Sequence, residues 1–351
     1  MKDGRMSIMR KNSKLMKGIA TAAIAAMSMG MLAGCGGGAQ QDGAADEQYK
    51  VGVVQLVQHG ALDQANQGMM DGLAAEGFVV GENLVVDQQN AQGDQSNINN
   101  IAQQFVANEN DIILAIATPA AQGMAAATEE IPIVGTAITS FVDAKLVESD
   151  EAPGTNVTGT SDMNPIEAQV NLLLQLVPDA KVIGTIYTSS ETNSQVQFDI
   201  LEKVAAEKGL TVKARTVSTV NDIQQAAQSL VGEVDAIWLP TDNNVASAMP
   251  QVVGVTDEAG LVTICGEESM VRAGGTATYG FSYYQLGYNA GLMAAQILSG
   301  EGDPATMPVQ YMAEEDCVPI VNTDAVAELG IEVPADLLDS ATKVTTGSVA
   351  E

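Results

Sequence analysis

Asp235-Ala236-Ile237-Trp238-Leu239-Pro240-Thr241-Asp242-Asn243-Asn244 is a short apolar run that stops at a polar cluster and leads into Val245-Ala246-Ser247-Ala248-Met249. The pattern predicts a buried strand, a sharp turn and the first turn of a helix. An earlier stretch repeats it: Ile112-Ile113-Leu114-Ala115-Ile116 is apolar, and Ala117-Thr118-Pro119-Ala120-Ala121 follows, with Thr118 suited to cap a helix and Pro119 to its first position. Two halves built on one plan are expected. In parallel α/β sheets, ligands sit where strands end and helices begin, because free N–H groups and positive dipole ends collect there. Each turn alone is also an ordinary strand-to-helix connection; if the halves face each other, the pair lines one cleft.

The chain opens with Arg10, Lys11, Lys14 and Lys17, an apolar stretch from Ile19 to Met31, and then Leu32-Ala33-Gly34-Cys35. Basic, apolar and small residues in that order make residues 1–34 a secretory signal, and the apolar part is short for a membrane span. Residues 35–47, rich in Gly, Ala and Gln with no apolar periodicity, read as a flexible tether. The chain has a formal net charge of −29. Residues 1–34 hold six of its Lys/Arg and one Asp, so without them the charge is about −34. Nucleic acid and anionic lipid are poor partners for such a surface. The acid is dispersed among Ala, Val, Ile and Leu, which argues for a folded, acidic surface rather than disorder. His59 is the sole His, which excludes a His-cluster metal site, and no metal or other cofactor is expected. Cys265 and Cys317 are left as either a disulfide or two buried thiols.

After the tether, strand and helix signals alternate. Tyr49–Leu56 is a strand, and Leu62, Ala65, Met69 and Leu73 recur at helical spacing up to Glu76-Gly77. Strands at 84–89 and 132–137, and a helix around Ile98–Val106, complete a β-α-β-α-β-α-β order that predicts a parallel sheet with right-handed crossovers. The stretch Glu151–Asp162 breaks the rhythm and reads as a crossing between lobes. The cycle then starts over through strands at 181–188, 210–217, 235–239, 261–265 and 276–281, with Pro250 expected to kink or shorten the helix after Asn243. A helix at 284–299 is expected to return to the first lobe, and 307–313 to cross a third time. The fold class is therefore α/β with two Rossmann-like lobes, 48–157 plus 282–306 and 158–281 plus 307–345, joined by a three-segment hinge.

His59-Gly60-Ala61-Leu62-Asp63, Asn90-Ala91-Gln92-Gly93-Asp94, Ala117-Thr118-Pro119-Ala120-Ala121-Gln122, Asn156-Val157-Thr158-Gly159, Glu191-Thr192-Asn193-Ser194, Thr241-Asp242-Asn243 and Ala277-Thr278-Tyr279-Gly280 span nearly the whole chain. In this set and order it resembles the type I solute-binding lipoproteins of ABC importers, of the branch that includes tryptophan- and tyrosine-type binding proteins. Leu32-Ala33-Gly34-Cys35 resembles the lipobox of bacterial lipoproteins. The resemblance implies a periplasmic-binding-protein-like fold of type I, lipidation of Cys35, and anchorage outside the cytoplasm on the bacterial cell membrane. It also implies a monomer that captures a small ligand, an amino acid with an aromatic side chain as first guess, for the transmembrane subunits of an ABC permease. Two cleft loops depart from the family pattern: Thr139-Ser140-Phe141 stands where a Thr-Asp-Pro turn is usual, and Tyr187-Thr188 where Tyr-Asn is frequent. A sugar or a nucleoside stays open as ligand, and so does a sensor that serves a signalling receptor.

A zwitterion needs an acceptor for its ammonium and donors for its carboxylate. Asp242 is the leading acceptor, set against a plain helix-capping role, with Asn243 beside it and Glu191 and Glu267 behind it. Donors are sought in the N–H groups of Ala120 and Ala121 and in the hydroxyls of Thr118 and Thr139. His59 is a contact candidate or a packed surface His, Asn90 a ligand contact or a turn closer, and Tyr279 a cleft aromatic or hinge packing. An enzyme is not expected. A Walker-type glycine loop, a Gly-x-Ser-x-Gly elbow and a plausible Cys/His pair are all missing, so a secreted hydrolase would have to rest on carboxylates alone.

Overall fold

The computed structural model describes residues 48–349; the signal, the tether to residue 47 and the lipidation expected at Cys35 lie outside them. The first lobe opens with β1 (Tyr49–Gln55), α1 (Gly60–Ala75), β2 (Leu84–Asn90), α2 (Gln95–Ala107), β3 (Ile112–Ile116), α3 (Thr118–Ala127), β4 (Ile133–Ile138) and β5 (Val157–Ser161). These strands pair in parallel in the order β5-β4-β3-β1-β2. All five residues of β3 are buried, as a parallel strand covered on both faces requires.

The second lobe repeats the plan with α4 (Ile166–Leu176), β6 (Val182–Thr188), α5 (Thr192–Glu207), β7 (Thr211–Val217), α6 (Ile223–Leu230), β8 (Ala236–Trp238), α7 (Asn243–Ser247), α8 (Met249–Ala259), β9 (Val262–Ile264), α9 (Glu268–Arg272) and β10 (Ala277–Gly280). Its strand order, β10-β9-β8-β6-β7, matches that of the first lobe. Pro250 sits in the first turn of α8, and the chain breaks at Ala248 between two short helices. Trp238 is fully buried, its indole N–H donating to Gln169 Oε1 at 2.9 Å, so it is core.

The chain then crosses back. α10 (Tyr283–Leu298) packs on α1, and β11 (Gln310–Tyr311) pairs with β5 in the first sheet. A third crossing leads to β12 (Val318–Asn322), antiparallel to β10, followed by α11 (Thr323–Leu329), α12 (Ala335–Ser340) and β13 (Thr342–Val344) on the second sheet. The two lobes are thus joined by three segments, at 162–165, 281–282 and 312–317. Within the stretch expected to be only a crossing lies β5, a Thr/Ser/Gly strand whose five residues are all buried. Its lack of an apolar run hid it.

α1 and α10 meet backbone to backbone. A Cβ on Gly287 would lie 1.9 Å from the Ala65 carbonyl oxygen, and one on Gly72 2.3 Å from that of Tyr288, so only glycine permits the approach. The apolar core of the first lobe runs through both helices, from Leu62, Met69 and Leu73 to Leu286, Ala290 and Met293. The second sheet is covered by separate clusters on its two faces. Cys265 and Cys317 are both buried and are not joined by a disulfide.

Candidate functional site

Each sheet reverses its strand order once, between β1 and β3 in the first lobe and between β6 and β8 in the second. Crevices form at such reversals because the following loops diverge to opposite faces. The four loops concerned carry His59, Thr118, Glu191 and Asp242. Two of them, with His59 and Asp242, enter a chamber between the lobes that is lined also by Ala61, Leu62 and Ala137 from the first lobe, Asp162 from a crossing, Tyr283 at the start of α10, and Thr241, Asn243, Ala246 and Glu267 from the second lobe; Thr118 and Glu191 do not line it. The chamber is tight, with about 10 Å³ of room for the centre of a water molecule.

Asp242 lines the chamber and is fully buried. Its Oδ1 accepts from the Thr188 hydroxyl (2.9 Å) and the Val245 N–H (3.0 Å), and its Oδ2 from the Thr188 N–H (2.6 Å) and the Ser194 hydroxyl (2.7 Å). A carboxylate has about four lone-pair positions, and the second lobe's own donors occupy them all. The role on display is the cap of α7, joined to a brace across the ends of β6 and β8.

Asp162, not singled out from the sequence, keeps acceptor capacity. It takes one hydrogen bond on each oxygen, from the Thr139 hydroxyl at 2.8 Å and from the Tyr283 hydroxyl at 2.7 Å, and burial raises its pKa. Glu267 caps α9 by accepting from the Ser269 and Met270 N–H groups, takes the Ser269 hydroxyl at 2.6 Å, and is raised by burial to about 7. Glu191 is raised to about 8, by burial first and then by the charge of Asp242. Its Oε2 accepts from the Asn193 side chain (3.0 Å) and from the N–H (3.2 Å) and Nδ2 (2.7 Å) of Asn243. No Lys or Arg lines the chamber.

The donors differ from those expected. Ala117, at φ +85°, is the N-cap of α3, so Thr118 is its first helical residue rather than its cap. The Ala121 N–H donates to the Ala117 carbonyl at 3.1 Å, which removes it as a ligand donor and leaves the N–H groups of Thr118 and Ala120 at the open end. The buried Thr118 hydroxyl has no hydrogen-bond partner. α1 offers a second open end, with Ala61 and Leu62 in the chamber wall behind the N-cap His59. Backbone donors carry no residue-type signal; the helix start at Gly60 was the available clue.

His59 Nε2 lies 3.3 Å from Asn243 Oδ1 across the cleft, its Nδ1 has no partner, and burial lowers its pKa to about 4. Thr139 bridges the lobes as well, 3.5 Å from the Thr241 hydroxyl and 3.4 Å from Gln197 Nε2. Asn90 is exposed and accepts from the Gln92 N–H at 2.8 Å, the turn-closing role. Tyr279 is half-buried between two core clusters and is absent from the chamber lining, whereas Tyr283 is part of it. Of the five non-glycine residues with positive φ among the described residues, Gln92 (55°), Ala117 (85°) and Ala137 (54°) stand at or just after strand ends on the first lobe's cleft side, while Glu109 (52°) and Lys145 (60°) lie elsewhere. Such conformations cost about 1–3 kcal/mol each and concentrate at sites. Among the described residues no group of three or more His, Cys, Asp or Glu is arranged to hold a metal ion, and no helix is long and apolar enough to cross a membrane.

The family model for ABC transporter substrate binding proteins matches residues 50–345. A tyrosine-binding protein of Clostridioides difficile is 39% identical over 318 residues, 87% of this chain and 90% of that one. A Streptococcus pneumoniae ABC domain solved in complex with L-Trp is 39% identical with a TM-score of 0.82, covering 85% of this chain and all of that one. A ligand-free, open substrate-binding protein with adhesive properties from Clostridium difficile is 41% identical and scores 0.66, over 85% of this chain and 99% of that one. In the present structure three polar contacts span the cleft, at 3.3, 3.5 and 3.4 Å, so the lobes touch there.

Proposed function

The chain belongs to the ABC transporter substrate-binding protein family, and on that premise we propose that it captures an amino acid between its lobes, aromatic as first choice, and delivers it to a transmembrane permease. In this reading it is a monomer outside the cytoplasm, held to the membrane by a lipid on Cys35. The two lobes, with β5 and β11 belonging to the first rather than to the second as the bounds at 157/158 and 306/307 would have it, close on the ligand about the three crossings at 162–165, 281–282 and 312–317.

One observation carries the choice of ligand: a tight chamber with buried carboxylates and no cation of its own, faced by the open N-terminus of α1. An ammonium compensates the acids, and a carboxylate on the same carbon takes the helix N–H groups. Because Asp242 is saturated by its own lobe, Asp162 and Glu267 are assigned the ammonium. Thr118 and Ala120, at the start of α3, do not line the chamber and are left out of the head site, whereas His59 Nδ1, in its wall without a partner, is a further polar contact. The tyrosine-binding relative and the L-Trp complex support an aromatic side chain.

Titration calorimetry of the purified protein with the twenty amino acids tests this. Removing one partner of a desolvated charge pair costs about 2–5 kcal/mol, so Asp162→Asn is expected to weaken binding by well over tenfold. Heat from no amino acid would sink the reading. Unchanged affinity in both Asp162→Asn and Glu267→Gln would move the ammonium elsewhere.

A further inference from the structure

Next to the chamber, and sharing Asn243 with it, lies a second compartment between the lobes. Leu56, Val57, Ile98 and Pro119 of the first lobe give it an apolar wall, with Gln95 at its side donating its amide to Asn99 Oδ1 at 3.2 Å, and Ser190, Glu191 and Asn244 of the second lobe close it with polar groups. It offers about 270 Å³ on the measure that gives the chamber about 10 Å³, so the room between the lobes lies here, away from the charged head site. Glu191 is 5% exposed and all its hydrogen bonds fall on Oε2, which leaves Oε1 without a partner.

We propose that this compartment receives the ligand's side chain, and that Glu191 Oε1 selects a ring carrying a hydrogen-bond donor, a phenol O–H or an indole N–H, over a bare phenyl ring. The inference rests on the amino-acid reading above and adds the rule by which aromatic side chains are told apart. The flat ring lies on the wall of Leu56, Val57, Ile98 and Pro119, a surface that by itself holds any aromatic ring equally well. Discrimination then falls to the polar end, because a phenyl ring buries Oε1 without a partner while excluding the water that could serve it. The pKa of Glu191 points the same way: a carboxyl raised by burial and by the nearby Asp242 gains from an arriving donor, which favours its ionised form.

The test is calorimetry with L-tyrosine, L-tryptophan and L-phenylalanine at pH 8.5, on the wild-type protein and on Glu191→Gln. In the wild type, tyrosine and tryptophan are expected to bind at least tenfold more tightly than phenylalanine. In Glu191→Gln the amide oxygen must face the three N–H donors now on Oε2, which turns the NH₂ group to the compartment and removes the acceptor. Tryptophan, whose N–H can only donate, then drops at least tenfold, while phenylalanine stays within about twofold and so reports an intact site. Phenylalanine binding as tightly as the other two in the wild type overturns the inference and leaves the amino-acid reading standing; the comparison needs no variant to fold. Binding of none of the three, with heat from other amino acids, also overturns the inference alone. Heat from no amino acid at all overturns both.

Discussion

Replacing Asp242 by Ala separates a brace within the second lobe from a direct ligand contact. The substitution removes the cap of α7, worth about 1 kcal/mol, and strands the Thr188 N–H and the Ser194 hydroxyl, both held today at 2.6–2.7 Å in a fully buried position. Each stranded donor costs about 1–3 kcal/mol. The Thr188 hydroxyl also loses the acceptor of its proton, though it keeps the bond that it accepts from Asn244 Nδ2 at 3.2 Å, as the Ser194 hydroxyl keeps one from Asn193 Nδ2 at 3.4 Å. Loss of the charge facing Glu191 gives part of this back. A net loss of about 3–4 kcal/mol follows, and at about 2–4 °C per kcal/mol for a chain of this size the melting temperature falls by about 6–16 °C. Differential scanning fluorimetry reads the shift, and calorimetry with L-tyrosine or L-tryptophan reads affinity on the same preparation, kept well below the new melting point. A shift under about 2 °C combined with a more than tenfold loss of affinity would refute the brace and restore Asp242 as the ammonium acceptor.

Two further outcomes are expected. Glu191 and Glu267 have pKa values raised from 4.5 to about 8 and about 7, so their contribution to stability is present below 4.5 and lost as pH rises through 7 to 8; His59, lowered from 6.5 to about 4, contributes above 6.5 and loses it toward 4. Between pH 6.5 and 8.5 the carboxyls act alone, so the melting temperature should fall across that window and fall less in Glu267→Gln; a flat or rising wild-type profile contradicts the burial argument. Cys35→Ala should move the protein from the membrane to the soluble fraction of cells expressing the full chain, and continued tight membrane association of that variant would count against the lipid anchor.

The repeated strand–helix cycle was legible because parallel strands buried on both faces are continuous apolar runs and their helices carry a 3.6-residue period. β5 escaped since its burial comes from Thr and Ser paired inside the sheet, as in the 2.9 Å bond from Thr160 to Thr136. At the site, sequence located the loops but not the saturation of their groups. Nothing in Thr241-Asp242-Asn243 says that Thr188 and Ser194, some fifty positions earlier, occupy Asp242. Asp162 and Tyr283 were illegible for the same reason, since they meet at 2.7 Å only once two crossings are brought side by side. Tyr279 looked suitable as an aromatic near a strand end, but the chain turns after Gly280 and presents Tyr283 instead.

The glycine contact between α1 and α10 divides the chamber into a fixed half and a changeable half. His59, Ala61 and Leu62 sit at the start of one helix and Tyr283 at the start of the other, and neither helix can shift without driving backbone into backbone at Gly287 and Gly72. The opposite wall, built from Thr241, Asn243, Ala246 and Glu267, stands on helices of five residues held by the side-chain caps Asp242 and Glu267. New ligand preferences are therefore most accessible to selection, or to a protein engineer, on the second lobe, while the first serves as the constant template against which each new wall must fit.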